Sequence, residues 1–199
     1  MFFWQKKSLK IKVAYILSRI FEPFVWMGLF GVALIFSSHF EGYNRLWWAV
    51  VLVFFLAGLP LITFLLFLKK GKIEDIDFTK REKRTPFIVT IIFYWLLGLI
   101  LTWGAGGPMV VIKILALSLM LGIVVLLINF YYKTSNHALG YTAAVLLFND
   151  FYDWDYWWLL IFVPVVWWSR YVQKKHTLGQ LTLGTALAVA AWVIWRVMD

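Results

Sequence analysis

The sequence predicts an all-α fold, a polytopic transmembrane bundle of six or seven helices. Three observations carry this. Hydrophobic residues make up 63% of the 199 positions, where a soluble domain holds roughly 45–50%. Mean hydropathy is +0.81, and apolar runs recur near the ~20 residues needed to cross a hydrocarbon core about 30 Å thick. Thirteen Trp, eighteen Phe and nine Tyr supply the bulk that suits lipid contact and membrane interfaces. So apolar a chain leaves no room for a second soluble domain, and residues 1–199 are expected to form one membrane domain. Cysteine is absent, which excludes a disulfide framework, a thiolate metal site and a Cys nucleophile.

Taken in order, the first expected span runs from Val13 to Phe36, with Arg19, Glu22 and Pro23 interrupting its first half. Arg19 and Glu22 are spaced for a local i,i+3 ion pair. The preceding basic residues Lys6, Lys7, Lys10 and Lys12, with no small-residue cleavage site, read as a retained anchor. The second span, Leu46 to Leu68, carries no charge. Pro86 opens the third, in a position that suits a first helical turn, and the run ends at the Gly-rich turn 104–108. The fourth covers Met109 to Tyr132, with Lys113 near one end. Two short apolar segments follow, His137 to Phe148 and Tyr156 to Trp168. The acidic, aromatic stretch 149–155 between them is expected to be a solvated interfacial loop. The last span runs from Thr177 to Val197. Small residues permit close helix contact in lipid, and Gly28, Gly31, Ala186 and Ala190 are candidates.

Polar residues gather in three loops: 69–86, 133–137 and 169–180. An even number of apolar segments separates each from the next, so all three can meet on one membrane face. All Lys and Arg except Arg19, Arg45, Lys113 and Arg196 lie in these loops or at the N-terminus. The positive-inside rule then puts the N-terminus and the loop face in the cytoplasm. For an apolar chain, the net charge of +9 points to membrane topology or an anionic substrate, and away from nucleic acid.

Chemistry concentrates in the same loops. Ser169-Arg170 is followed after five residues by His176 and after three more by Gln180. His176 would stand at a helix N-terminus, where free N–H groups and a partial positive charge favour phosphate. Gln180 is one helical turn away, placed to hold one ring nitrogen and leave the other free to attack. The second loop reads Lys133-Thr134-Ser135-Asn136-His137. Its Ser hydroxyl and successive N–H groups before a helix suit an anion, and a second imidazole could serve as general acid. The first loop offers Lys80, Arg81, Lys83 and Arg84, and guanidinium groups match phosphate bidentately.

These pieces resemble the type-2 phosphatidate phosphatase superfamily, which includes dolichyl diphosphatases, glucose-6-phosphatase and vanadium haloperoxidases. Its pattern is Lys-x6-Arg-Pro, then Pro-Ser-Gly-His, then Ser-Arg-x5-His-x3-Asp. The third element matches at Ser169, Arg170 and His176, with Gln180 in place of Asp. The second matches at Ser135 and His137, with Thr134 and Asn136 replacing Pro and Gly. In the first, Arg84 and Pro86 stand one residue out of register, and Asp77 occupies the place of the Lys. The resemblance spans about residues 77–184. It implies a metal-independent lipid phosphatase or diphosphatase with no cofactor. His176 would be the nucleophile, His137 the general acid and Gln180 the residue that orients His176. Arg170, Ser135, Asn136, Arg84, Arg81 and Lys80 would bind phosphate.

The expected activity is hydrolysis of a phosphate monoester or diphosphate on a lipid, through a phosphohistidine, in the cell membrane. The expected partners are that lipid phosphate and the surrounding membrane lipids. A catalytically degenerate protein that binds a lipid headgroup or acts as a scaffold is the alternative suggested by the altered first element. A transporter is disfavoured, because no pair of broken helices marks an inverted repeat.

Overall fold

The computed structural model describes residues 8–37, 40, 42–73 and 81–198; the side chains of Ile35 and Arg81 are outside that description. Its helices are α1 (Leu9–Ile20), α2 (Pro23–Ala33), α3 (Arg45–Val53), α4 (Leu59–Lys69), α5 (Thr85–Gly104), α6 (Met109–Asn129), α7 (Asn136–Phe151), α8 (Phe162–Val172) and α9 (Leu178–Met198). There is no strand among the described residues. The α1–α2 and α3–α4 pairs each form one interrupted rod, so the bundle has seven rods. Five of these are long and apolar enough to cross a membrane: Leu9–Ala33, Arg45–Lys69, Glu82–Gly104, Met109–Asn129 and Leu178–Met198. The chain is an all-α integral membrane bundle.

The interruptions follow from proline. Pro23 lacks an N–H and pushes the residue before it out of the helical region. Glu22 is accordingly extended (φ −66°, ψ 128°), and α2 restarts with Pro23 in its first turn. Pro60 likewise cannot donate to a carbonyl one turn earlier. The helix widens there into a π turn, Phe54–Gly58, and does not break.

Helix α2 packs on α7, α7 on α9, α5 on α6, and α1 on α8. The glycines show how close these approaches are. A Cβ at Gly184 would lie 2.7 Å from the Ser135 carbonyl oxygen, and one at Gly140 would lie 2.8 Å from Pro23. Of the expected small-residue contacts, Gly31 is realised, with Val53 where its Cβ would be, while Gly28 has nothing within 4 Å. Ala186 and Ala190 are exposed; the buried stripe of α9 is Gly184, Ala188 and Ala191.

The stretch 149–155 differs from a solvated loop. α7 continues to Phe151, with Asn149 fully buried and donating to the Val145 carbonyl at 2.9 Å. The Asp150 side chain, only 5% exposed, accepts from Trp195 Nε1 at 2.9 Å and pairs with Arg196 at 3.1 Å. It ties the end of α7 to the end of α9 on the face away from the basic loops.

Candidate active site

The three polar loops meet. Arg84, in the turn that leads into α5, donates from Nη1 to the Thr134 carbonyl at 2.9 Å. Ser135 N–H donates to the Gln180 carbonyl at 3.2 Å, and Lys133 Nζ to the Lys175 carbonyl at 3.2 Å. The first loop is thus tied to the second, and the second to the third. Under this junction lies a cleft of about 130 Å³, partly open to its surroundings. Its polar end is lined by Glu22, Arg84, Asn136, His137, Arg170 and His176.

Arg170 belongs to the last turn of α8 and is 1% exposed. Its Nη1 donates to the Ser18 hydroxyl of α1. Beyond it Lys174 takes a left-handed conformation (φ +55°), and Lys175 N–H closes back on the Arg170 carbonyl at 3.1 Å. That reversal is how five intervening residues return His176 to the side of Arg170.

His176 is 6% exposed. Its Nδ1–H donates to Gln180 Oε1 at 3.0 Å. An amide oxygen only accepts, so this contact fixes the neutral tautomer with the lone pair on Nε2. Gln180 is itself held. Its Oε1 also accepts from Thr177 N–H, and its own N–H donates to Thr177 Oγ1, both at 3.4 Å. This is a reciprocal capping box at the start of α9. Burial, with Arg170, Arg84 and Lys133 nearby, pushes the His176 imidazole from its ordinary value of 6.5 down to about 2; the Gln180 bond works weakly against that. Nε2 is therefore an unprotonated base throughout the physiological range.

His137, in the first turn of α7, faces Glu22 across the cleft, with Nε2 3.5 Å from Oε2. Glu22 also pairs with Arg19 at 2.8 Å, the expected i,i+3 contact. Beyond this long contact His137 Nε2 has no hydrogen-bond partner within the protein, while Glu22 Oε2 also takes the Arg19 guanidinium. A carboxylate in a membrane helix is costly unless it has a task, and here it stands opposite an imidazole that it can pair with once the ring is protonated.

The remaining expected residues divide. Asn136 lines the cleft. Ser135 is not on its wall: it is fully buried, and its hydroxyl accepts from Ala138 N–H at 3.4 Å as the N-cap of α7. Ser169 donates to the Val166 carbonyl within α8. Lys80 lies outside the described residues, as does the side chain of Arg81. The motif spacing did not point to Ser18, the Thr134 carbonyl or Glu22. A carboxylate inside an apolar span was the one visible signal for Glu22, and Thr177-x-x-Gln180 was the signal for the capping box. Among the described residues no group of three His, Asp or Glu is placed as a metal site.

The cleft joins an imidazole held through one ring nitrogen, a second imidazole facing a carboxylate, two buried guanidinium groups and the N-terminus of α7. The guanidinium groups and the helix N-terminus are chemically suited to an anion. No family model matches the chain, and no curated protein or solved structure matches it either.

Proposed function

We propose that this protein is a membrane-embedded phosphatase that hydrolyses a phosphate monoester or diphosphate on a lipid through a phosphohistidine. The observation that supports it is His176: Nδ1 bound by Gln180, Nε2 unpaired, and the ring in one cleft with Arg84, Arg170 and His137. The cleft lies among spans that themselves sit in lipid, so its natural access is for a lipid headgroup. Sidedness follows the positive charge of the loops and puts the site on the cytoplasmic face of the cell membrane.

In the first step the Nε2 lone pair of His176 forms a bond to phosphorus. The P–O bond to the lipid breaks, and its electron pair leaves with the lipid oxygen. His137, protonated in the substrate complex where the charge of the phosphate adds to that of Glu22, gives that oxygen its proton. The lipid departs as an alcohol, or as a monophosphate when the substrate is a diphosphate. Gln180 accepts from Nδ1–H throughout and stabilises the cationic phosphohistidine. Arg84 and Arg170 face the non-bridging oxygens, whose charge they offset as the transition state forms. In the second step the now neutral His137 takes a proton from water, which attacks phosphorus on the side opposite Nε2. The P–N bond breaks, inorganic phosphate leaves, and both rings return to their starting states.

The test is phosphate release by the purified protein, in EDTA, from isoprenyl diphosphate, phosphatidate and phosphatidylglycerol phosphate. At least one is expected to turn over repeatedly, with an acid-labile labelled histidine trapped by quenching and with all turnover lost in His176→Ala. Turnover that survives His176→Ala removes the nucleophile. Saturable binding of every lipid without turnover favours the headgroup-binding alternative.

A further inference from the structure

The cleft continues beyond its charged end as an apolar slot between α2, α5 and α6. Arg84 stands at the top of α5 and Trp95 lines the far part of the wall. At 1.5 Å of rise per residue the slot runs about 16 Å along that helix. This is roughly half of a ~30 Å hydrocarbon core, the depth of one leaflet. Gly122 lets the Trp95 ring pack directly against α6, where a Cβ would fall 2.7 Å from it, so that ring forms part of the wall.

The lower end of the slot is closed by Met27 of α2 and by Ser118 and Leu121 of α6. The same three side chains bound a second, mostly apolar cavity of about 40 Å³, lined further by Ile114, Leu147 and Trp192. Met27, Ser118 and Leu121 are thus a partition with apolar space on both sides.

We infer that the slot holds one linear hydrocarbon chain of a lipid phosphate, and that Met27, Ser118 and Leu121 set the chain length it accepts. The inference rests on the proposed site only for the position of the head. A cationic end that runs without a break into an apolar wall one leaflet deep is complementary to a molecule with an anionic head and a single tail. Water in the slot would find few polar partners. The end wall is made by side chains from only two helices, α2 and α6. Met27, unbranched and flexible, is suited to yield to chain ends of differing shape.

The experiment measures binding and turnover separately, in nanodiscs, for linear alkyl phosphates of increasing length, a matching prenyl phosphate series, and diacyl phosphatidate. The proteins are the wild type, Met27→Ala/Leu121→Ala and Ser118→Phe. Wild-type affinity is expected to rise with chain length and then level off where the tail meets the partition. In the double variant the plateau moves to longer chains, and roughly each two further buried methylenes tighten Kd about tenfold. In Ser118→Phe it moves to shorter chains. The shortest phosphate should bind all three proteins equally. A plateau at one length in all three proteins overturns the inference, as does diacyl binding equal to the best single chain. Should one variant fail to fold, the other still moves the plateau in its own direction. If no substrate turns over but the plateau moves as described, the phosphatase reading fails and the chain slot stands.

Discussion

The two ring nitrogens of His176 are assigned by one neighbour. Gln180 Oε1 takes the Nδ1 proton at 3.0 Å, and the Thr177 capping box holds that amide so that it cannot turn away. Glu22 has the corresponding place opposite His137, at 3.5 Å. Its contribution should depend on how much the leaving group needs a proton. Glu22→Gln removes the charge that pairs with the His137 imidazolium while keeping the side chain's shape. We expect kcat on an alkyl phosphate to fall about 10²-fold, the lower end of what general acid catalysis contributes, with KM little changed. On a nitrophenyl phosphate, whose leaving group departs without a proton, kcat should stay within a factor of a few. An equal loss on both substrates would mean that Glu22 only supports the fold. The place of Glu22 was partly legible in the sequence, because a carboxylate amid an apolar run is conspicuous. Its partner was not legible, because 115 positions separate Glu22 from His137 and only the packing of α2 on α7 brings them together.

At the scale of helices, the positions of the spans could be read from the sequence and their faces could not. In water an amphipathic period separates core from solvent, but here lipid and core are both apolar, so the pattern that would reveal a buried stripe is missing. That is why Gly28 and Gly31 looked alike, and why Ala186 and Ala190 were expected at a contact that Gly184 and Ala188 make. The packing separates them by what a methyl group would meet. At Gly184 it would strike the Ser135 carbonyl at 2.7 Å and approach Leu139 N at 3.3 Å, both backbone atoms that cannot turn aside. Gly184→Ala should therefore push α9 off α7, lower stability by about 1–3 kcal/mol and disturb the Ser135–Gln180 contact beneath the site. Gly28→Ala meets nothing within 4 Å and should be neutral or stabilising by about 0.5–1 kcal/mol through helix propensity. Unfolding midpoints in mild detergent would compare the two directly. Equal destabilisation would contradict the packing of α7 on α9.

Over the whole molecule, the site exists only because chain segments far apart in sequence end on the same face. The parity of crossings made that legible, since each pair of polar loops is separated by an even number of apolar segments. The depth of the site was not legible. α7 has 16 residues, about 24 Å at 1.5 Å each, and so falls short of a full hydrocarbon core. Its capped N-terminus, with Ser135 fully buried, therefore opens below the loop surface and not at it. The shared face can be tested cleanly, because the chain has no cysteine and any introduced thiol is the only one present. Lys72 and Lys174 are exposed on the loop face, while Tyr43 and Ala105 are exposed on the other side of the bundle. Single cysteines at these positions, labelled in intact cells with a membrane-impermeant maleimide, should fall into two groups. Lys72→Cys and Lys174→Cys should react only after the membrane is opened, as the positive charge of their loops predicts. Tyr43→Cys and Ala105→Cys should react at once. If the groups exchange behaviour, the site is intact but faces the exterior, which would mean that phosphate-binding arginines and not topology account for the charge of these loops. If Lys72 and Lys174 separate, the first and third loops lie on opposite leaflets, and Arg84 cannot share a phosphate with Arg170 and His176.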